Sequence, residues 1–276
     1  MTDDGYAALR MTIGGGIARV TIDHPPLNLL DATLLEDLDA AGRALAADDD
    51  VRVVVVDSAD PEFFIAHADV RGMIGRGDAR AERRERLSRF AEMTERWRTM
   101  PKATIAVIAG RARGGGSEFA LALDMRFAAR ETAVLAQPEV GLGIPPGGGA
   151  TQRLPRLAGR GRALEVILGG EDFDADTAER YGWINRALPA AELDPFVDRL
   201  AARIASLPAP AVAAAKAAID AGEAPIADGL REEHRLLRRA LATPEATTAM
   251  ERFLAAGGQT REYERDLGAR LEGSGA

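Results

Sequence analysis

Two glutamates stand in settings that could give them chemistry. Glu118 stands one residue beyond three glycines in Gly114-Gly115-Gly116-Ser117-Glu118-Phe119, and Glu139 lies in the Pro/Gly-rich segment Gln137-Pro138-Glu139-Val140-Gly141-Leu142-Gly143-Ile144. Two carboxylates in different surroundings can divide acid and base roles, because burial and neighbouring dipoles pull their pKa values apart. The triple glycine adds a second capability. Where such a loop opens a helix, the main chain can approach a ligand closely, and the unpaired N–H groups at the positive end of the helix dipole face that ligand. That is a binder of anions or of a developing oxyanion. A third segment, Phe63-Phe64-Ile65-Ala66-His67-Ala68-Asp69-Val70, also puts polar groups where a loop is expected. Each feature taken singly has a plainer reading as well. Glycines permit tight strand–helix packing, and glutamates in an acidic chain cap helices or sit in water.

Other chemistries are poorly provisioned. No Gly-Lys-Ser/Thr follows the glycines, which excludes a Walker loop, and the absence of G-x-G-x-x-G here argues against a dinucleotide-binding turn. The three histidines, His24, His67 and His234, have no second histidine at ligand spacing, so no metal site is expected. Cysteine is absent, which removes disulfides, thiolate zinc and a thiol nucleophile together. With 35 basic and 43 acidic residues the formal charge is −8, and such a chain repels polyanions, so nucleic acid is not an expected partner. Met1-Thr2-Asp3-Asp4 lacks the basic-then-apolar pattern of a signal peptide, and the apolar run Thr104 to Ala109 stops at Gly110 and Arg111, far short of the roughly eighteen residues of a membrane span. A soluble cytoplasmic protein with no membrane contact is expected.

The elements that must position the two glutamates can be read from periodicity. Leu9 to Ile13 and Ile17 to Ile22 flank Gly14-Gly15-Gly16 and predict a hairpin. Asp31 predicts the N-cap of a helix carrying Leu34, Leu35, Leu38 and Leu45, ended by Asp48-Asp49-Asp50. Val51 to Val56 reads as a strand buried on both faces. Arg80 to Met100 reads as a helix with Leu87, Phe90, Met93 and Trp97 on one stripe, stopped by Pro101; its arginines Arg80, Arg83, Arg84, Arg86 and Arg89, interleaved with Glu82 and Glu85, read as a solvated face. Ala103 to Ala109 is a further buried strand, Gly110 to Gly116 a glycine-rich loop, Ser117 to Leu123 a short apolar helix, and Met125 to Ala128 another strand. The repeat is a ββα unit. From Ala190 the composition turns to Ala-, Arg- and Glu-rich helical segments interrupted by Pro208, Pro210, Pro225 and Pro244. The expected organisation is an α/β core over 1–190 and a helical region over 191–276.

In this order the three polar segments resemble the enoyl-CoA hydratase/isomerase (crotonase) superfamily. The likeness runs through Ile17 to Ile22 with Pro25-Pro26-Leu27-Asn28, Val51 to Val56, Phe63 to Met73, Pro101 to Asp124 and Gln137 to Leu154. Its most specific parts are G-G-G-S-E at 114–118, Q-P-E-V-G-L-G-I at 137–144 and G-G-G-A-T-Q-R-L at 147–154. The resemblance implies a spiral of ββα units with a helical C-terminal trimerisation region, and a homotrimer or a dimer of trimers. It implies an acyl-CoA thioester as substrate and no cofactor beyond the CoA carried by that substrate. By motif position the two main-chain N–H groups of an oxyanion hole fall on Ala68 and Gly115. Contacts to the thioester and CoA fall on Leu27, Ala66, His67, Asp69, Val70, Arg71 and Gly114. Members that hydrate a trans-2-enoyl-CoA are similar in having both glutamates, so the resemblance implies hydration, with Glu118 as base toward water and Glu139 as donor of a proton to Cα. Double-bond isomerisation, thioester hydrolysis and non-catalytic acyl-CoA binding are the alternatives.

The chain departs from the family pattern at three points. His67 stands where a glycine is usual in A-G-A-D, and its side chain is expected to point away and leave only the backbone to act. Pro26 replaces a basic residue, a loss for which Arg71 could compensate. Ile144-Pro145-Pro146 differs from the commoner I-P-G. His24 and His234 are assigned to structure or solvent, Trp97 and Trp183 to packing, and Phe119 to locking its helix on the core.

Overall fold

The structure is a computed structural model that describes residues 5–70 and 87–222, with 248, 251 and 255–256. Along the chain run β1 (Leu9–Gly14), β2 (Ile17–Ile22), α1 (Ala32–Ala47), β3 (Val53–Ser58), β4 (Phe63–Ile65), α2 (Arg89–Arg98), β5 (Ala103–Ile108), β6 (Arg111–Arg113) and α3 (Gly115–Ala122). There follow β7 (Met125–Ala129), β8 (Val134–Ala136), a 3-10 turn (Glu139–Leu142), α4 (Ala150–Ala158), α5 (Arg160–Gly169), β9 (Phe173–Asp174), α6 (Ala175–Tyr181), β10 (Arg186–Leu188), α7 (Ala190–Ala205) and α8 (Ala209–Ala221). One sheet has the order β1-β2-β3-β5-β7-β10 and the other β4-β6-β8-β9. Each pair β3–β4, β5–β6 and β7–β8 therefore places one strand in each sheet before a helix returns the chain. That is the ββα repeat in spatial form.

The hairpin forms as its sequence predicts, with Gly15 and Gly16 at φ +59° and +78° in the turn. Asp31 caps α1, its Oδ1 accepting from Leu34 N at 3.0 Å, and at the other end Lys102 Nζ donates to Leu45 O at 2.5 Å and to Asp48 O. Strand β3 is buried on both faces because alternate residues serve different cores. Val54 and Val56 pack with Leu34, Leu38 and Phe119, whereas Val53 and Val55 pack with Ile105, Phe127, Leu193 and Val197. Helix α7 supplies that second cover. Phe119 locks α3, its ring edge-on to Trp97 at 5.4 Å and stacked on Phe64 at 6.5 Å, and Trp97 Nε1 donates to Leu38 O at 2.9 Å.

Two expectations need correction. The helix predicted from Arg80 is seen only from Arg89, because Ser88 turns its hydroxyl to Ala91 N at 3.1 Å and caps it there; Leu87 precedes the helix and is exposed. Arg80, Glu82, Arg83, Arg84, Glu85 and Arg86 lie outside the described residues. The loop predicted over Gly110 to Gly116 contains β6 and the first turn of α3, and the Phe63 segment likewise begins as β4. Both short strands exist because they pair in parallel with each other, and β6 pairs also with β8. Gly110 admits this by lying flat on the Glu62 backbone, where a Cβ would come within 2.3 Å of it.

Candidate active site

The glycine loop, the segment after β4 and the Gln137 segment meet at the N-terminus of α3. The chain leaving β4 is held by Leu30: Leu30 N donates to His67 O at 2.9 Å and Asp69 N to Leu30 O at 3.1 Å. In such an extended segment alternate N–H groups face opposite ways, so the Ala68 N–H points away from Leu30. Gly115 lies close by, since a methyl added there would stand 3.6 Å from Ala68 N. Gly115 is the first residue of α3, preceded by Gly114 at φ +50°, so its own N–H is one of the helix's unpaired donors. Neither N–H meets an acceptor among the described residues. The next glycine makes the approach possible, because a Cβ on Gly116 would stand 2.3 Å from Ile65 O.

Asn28 organises this wall, and the sequence reading assigns it no role. It is buried at φ +51°, its Nδ2 donates to Ser58 Oγ (2.9 Å), Phe63 O (3.1 Å) and Phe64 O (3.2 Å), and its Oδ1 accepts from His24 N at 2.8 Å. One side chain thus ties the Pro25-Pro26 turn to β4. Asparagine's tolerance of a left-handed backbone is the signal that could have found it. Leu27 O accepts from Ala66 N at 3.3 Å, so Leu27, Ala66, His67, Asp69 and Gly114 belong to one ledge beside Ala68. Val70 is at its exposed end, and Arg71 lies outside the described residues. The His67 ring is bonded within its own loop. It is half-buried, its Nδ1 donates to Ala68 O at 2.9 Å, and its Cβ is close to Gly114. His24 is structural, with Nε2 2.9 Å from Asp31 Oδ2, and Trp183 is buried as expected of a packing group.

Glu118 is 3% exposed and Glu139 9%. Glu118 Oε1 accepts from Gly148 N at 2.6 Å and from Ala150 N, the first residue of α4, at 3.1 Å. Burial pushes the Glu118 carboxyl up, while these N–H groups and the Arg153 charge oppose the shift. Glu139 has less support. Burial pushes it up to about 7, its own N–H opposes this, and the Glu118 charge adds to the rise. Its Oε1 approaches Gly114, and the fully buried Gln137, with its amide turned to suit its neighbours, donates to both Glu139 oxygens at 3.1 Å and accepts from Ser117 Oγ at 3.0 Å. The site therefore contains two buried carboxyls in unequal surroundings, Glu118 met by two main-chain N–H groups and Glu139 pushed up to about 7, with two N–H groups that lack acceptors among the described residues nearby.

Residues 12–259 match the sequence profile described as Enoyl-CoA hydratase/isomerase. The short-chain-enoyl-CoA hydratase of Clostridium acetobutylicum is 34% identical over 242 residues, spanning 87% of this chain and 92% of the relative. Among solved structures, enoyl-CoA hydratase from Bacillus anthracis superposes with a TM-score of 0.83 at 30% identity, covering 90% of this chain and 96% of its own. DspI of Pseudomonas aeruginosa superposes with a TM-score of 0.83 at 36% identity, covering 92% and 96%. The alternating two-sheet spiral, already visible in the strand order, is thus the crotonase fold. With nine-tenths of the sequence aligned, this chain belongs to the enoyl-CoA hydratase/isomerase family of enzymes.

Proposed function

We propose that the protein adds water across the double bond of a trans-2-enoyl-CoA to give a 3-hydroxyacyl-CoA. The observation that carries this reading is the pair of buried glutamates in unequal surroundings, set beside two main-chain N–H groups without acceptors among the described residues. The thioester oxygen lies between the Ala68 and Gly115 N–H groups, each such donor being worth about 3 to 4 kcal/mol to a developing oxyanion. Glu118, aimed by Gly148 and Ala150, takes a proton from water as its oxygen bonds to C3. The C2–C3 π electrons move into the thioester as an enolate, and Glu139 gives its proton to C2. One water is added, and proton exchange returns Glu118 to the carboxylate and Glu139 to the acid.

The CoA portion is assigned to the ledge of Leu27, Ala66, His67, Asp69, Val70 and Gly114, and by motif position to Arg71, and no further cofactor is proposed. A homotrimer or a dimer of trimers is proposed on family grounds, and the exposed Leu157, Leu168, Leu207 and Ile219 offer apolar surface for it. No single helix among the described residues is long and apolar enough to cross a membrane, and a cytoplasmic location is proposed. Mass analysis of the product formed in deuterium oxide tests the reaction. One added water with one deuterium on C2 supports it, and a shifted double bond or free CoA replaces it with isomerisation or hydrolysis.

A further inference from the structure

Arg153 stands behind Glu118 and belongs to neither the oxyanion hole nor the acid–base pair. Its Nη1 donates to Gly148 O at 2.9 Å, and its Nη2 donates to Glu95 Oε1 at 2.6 Å and to Thr94 Oγ1 at 3.3 Å. The peptide unit whose N–H meets Glu118 begins a stretch, Gly147-Gly148-Gly149, that has no side chains to fix it. Glycine backbones are the freest in the chain, so the direction of the Gly148 and Ala150 N–H groups needs a restraint from elsewhere. Arg153 provides it. The planar fork pulls on Gly148 O from one side and is anchored to α2 through Glu95 and Thr94 on the other. Space is matched to the arrangement, since a Cβ on Gly149 would fall 2.1 Å from Arg153 Nη1.

We propose that Arg153 is a positioning residue for Glu118, gripping the Gly148 carbonyl so that the Gly148 and Ala150 N–H groups stay aimed at Oε1. Among the described residues the charged groups around Glu118 are few. From α4 comes Arg153, from α2 Glu95, which is shared between Arg153 and Arg98, and from the 3-10 turn Glu139. Arg153 is the cation among them whose charge bears on Glu118, and Glu95 partly neutralises it. The catalytic consequence rests on the hydratase reading; the effect on Glu118 itself does not.

The test is therefore made in two ways. Infrared difference spectra of the ligand-free protein identify the Glu118 carboxylic-acid band as the one that Glu118→Gln removes, and its pH midpoint is followed in variants. Arg153→Gln moves the midpoint to higher pH, and Glu95→Gln, which unmasks the arginine, moves it to lower pH. On crotonyl-CoA, Arg153→Gln lowers kcat about 10- to 100-fold with KM changed less than about 3-fold, since the arginine does not touch substrate. Arg153→Lys restores the midpoint but recovers kcat only in part, because a point charge lacks the fork. Midpoints unmoved in both Arg153→Gln and Glu95→Gln overturn the proposal, as does full kcat in Arg153→Gln. If Arg153→Gln does not fold, the half-exposed Glu95→Gln change decides by its midpoint alone. Should the midpoints move while the wild type hydrates no enoyl-CoA, the hydratase reading falls and the positioning role stands.

Discussion

Gly148 N donates to Glu118 Oε1 at 2.6 Å, and a Cβ at 148 would crowd that contact. A Cβ there would lie 2.6 Å from Glu118 Oε2 and 2.1 Å from the Phe90 ring at Cε1. Gly148→Ala must displace the ring, the carboxylate or the loop. The expected result is a loss of about 100-fold or more in kcat, of the size of losing a general base, with about 1 to 3 kcal/mol of stability lost to overpacking. Steady-state kinetics and urea unfolding together check it; an alanine variant with wild-type kcat would show that Glu118 need not be held where it is seen.

The two carboxyls make activity depend on pH in opposite senses. The proposed mechanism requires Glu118 ionised and Glu139 protonated, so kcat/KM measured across pH should rise on an acid limb set by Glu118 and fall as pH passes about 7 with the loss of the Glu139 proton. The limbs belong to the interacting pair rather than to either residue alone.

Stability carries the same signature. Folded Glu139 keeps its proton up to about 7, whereas the unfolded chain releases it near its ordinary value of 4.5, so folding is penalised as pH rises through that window and the penalty is full above it. Glu139→Gln should therefore be more stable than the wild type at pH 8, by about 1 to 3 kcal/mol, and nearly equal to it at pH 4. Denaturant midpoints at the two pH values measure this. A variant no more stable at pH 8 would mean that Glu139 is not strained by burial.

Asn28 ties the Pro25-Pro26 turn to β4 through four hydrogen bonds and a left-handed backbone. Asn28→Ala removes the Nδ2 donor from Phe64 O and leaves Phe63 O with Ser58 Oγ alone, and it puts a Cβ-bearing residue with no polar side chain at φ +51°, at an expected cost of about 2 to 4 kcal/mol. Asn28→Gly relieves only the backbone part and should recover about 1 kcal/mol of it. Equal stability of the two variants would place the whole effect in the side-chain bonds.

Local patterns in the sequence reach some of this and not the rest. The hairpin turn, the Asp31 cap and the two-faced β3 are legible because each depends on neighbours within a few positions. Strand β6 is not, because Arg111-Ala112-Arg113 becomes a strand only by lying between β4 and β8, and Arg113 is fixed by Asp172, 59 residues away. The start of α2 at Arg89 turns on one hydroxyl, Ser88 Oγ, within a charged stretch whose periodicity continues upstream. In the site, the glutamates and the glycine triplet at 114–116 stand out by composition. What separates their environments does not: Glu118 is stabilised from residues 148, 150 and 153, on a segment that meets it only in the folded chain.

The most direct measurement of the central claim is the decay of the conjugated-thioester absorbance of crotonyl-CoA with wild type, Glu118→Gln and Glu139→Gln. The expected result is rapid decay to the 3-hydroxyacyl product with the wild type and a fall of about 10²- to 10⁴-fold in each variant. Unchanged absorbance with the wild type, or full activity in both variants, would contradict hydration by two glutamates at this site.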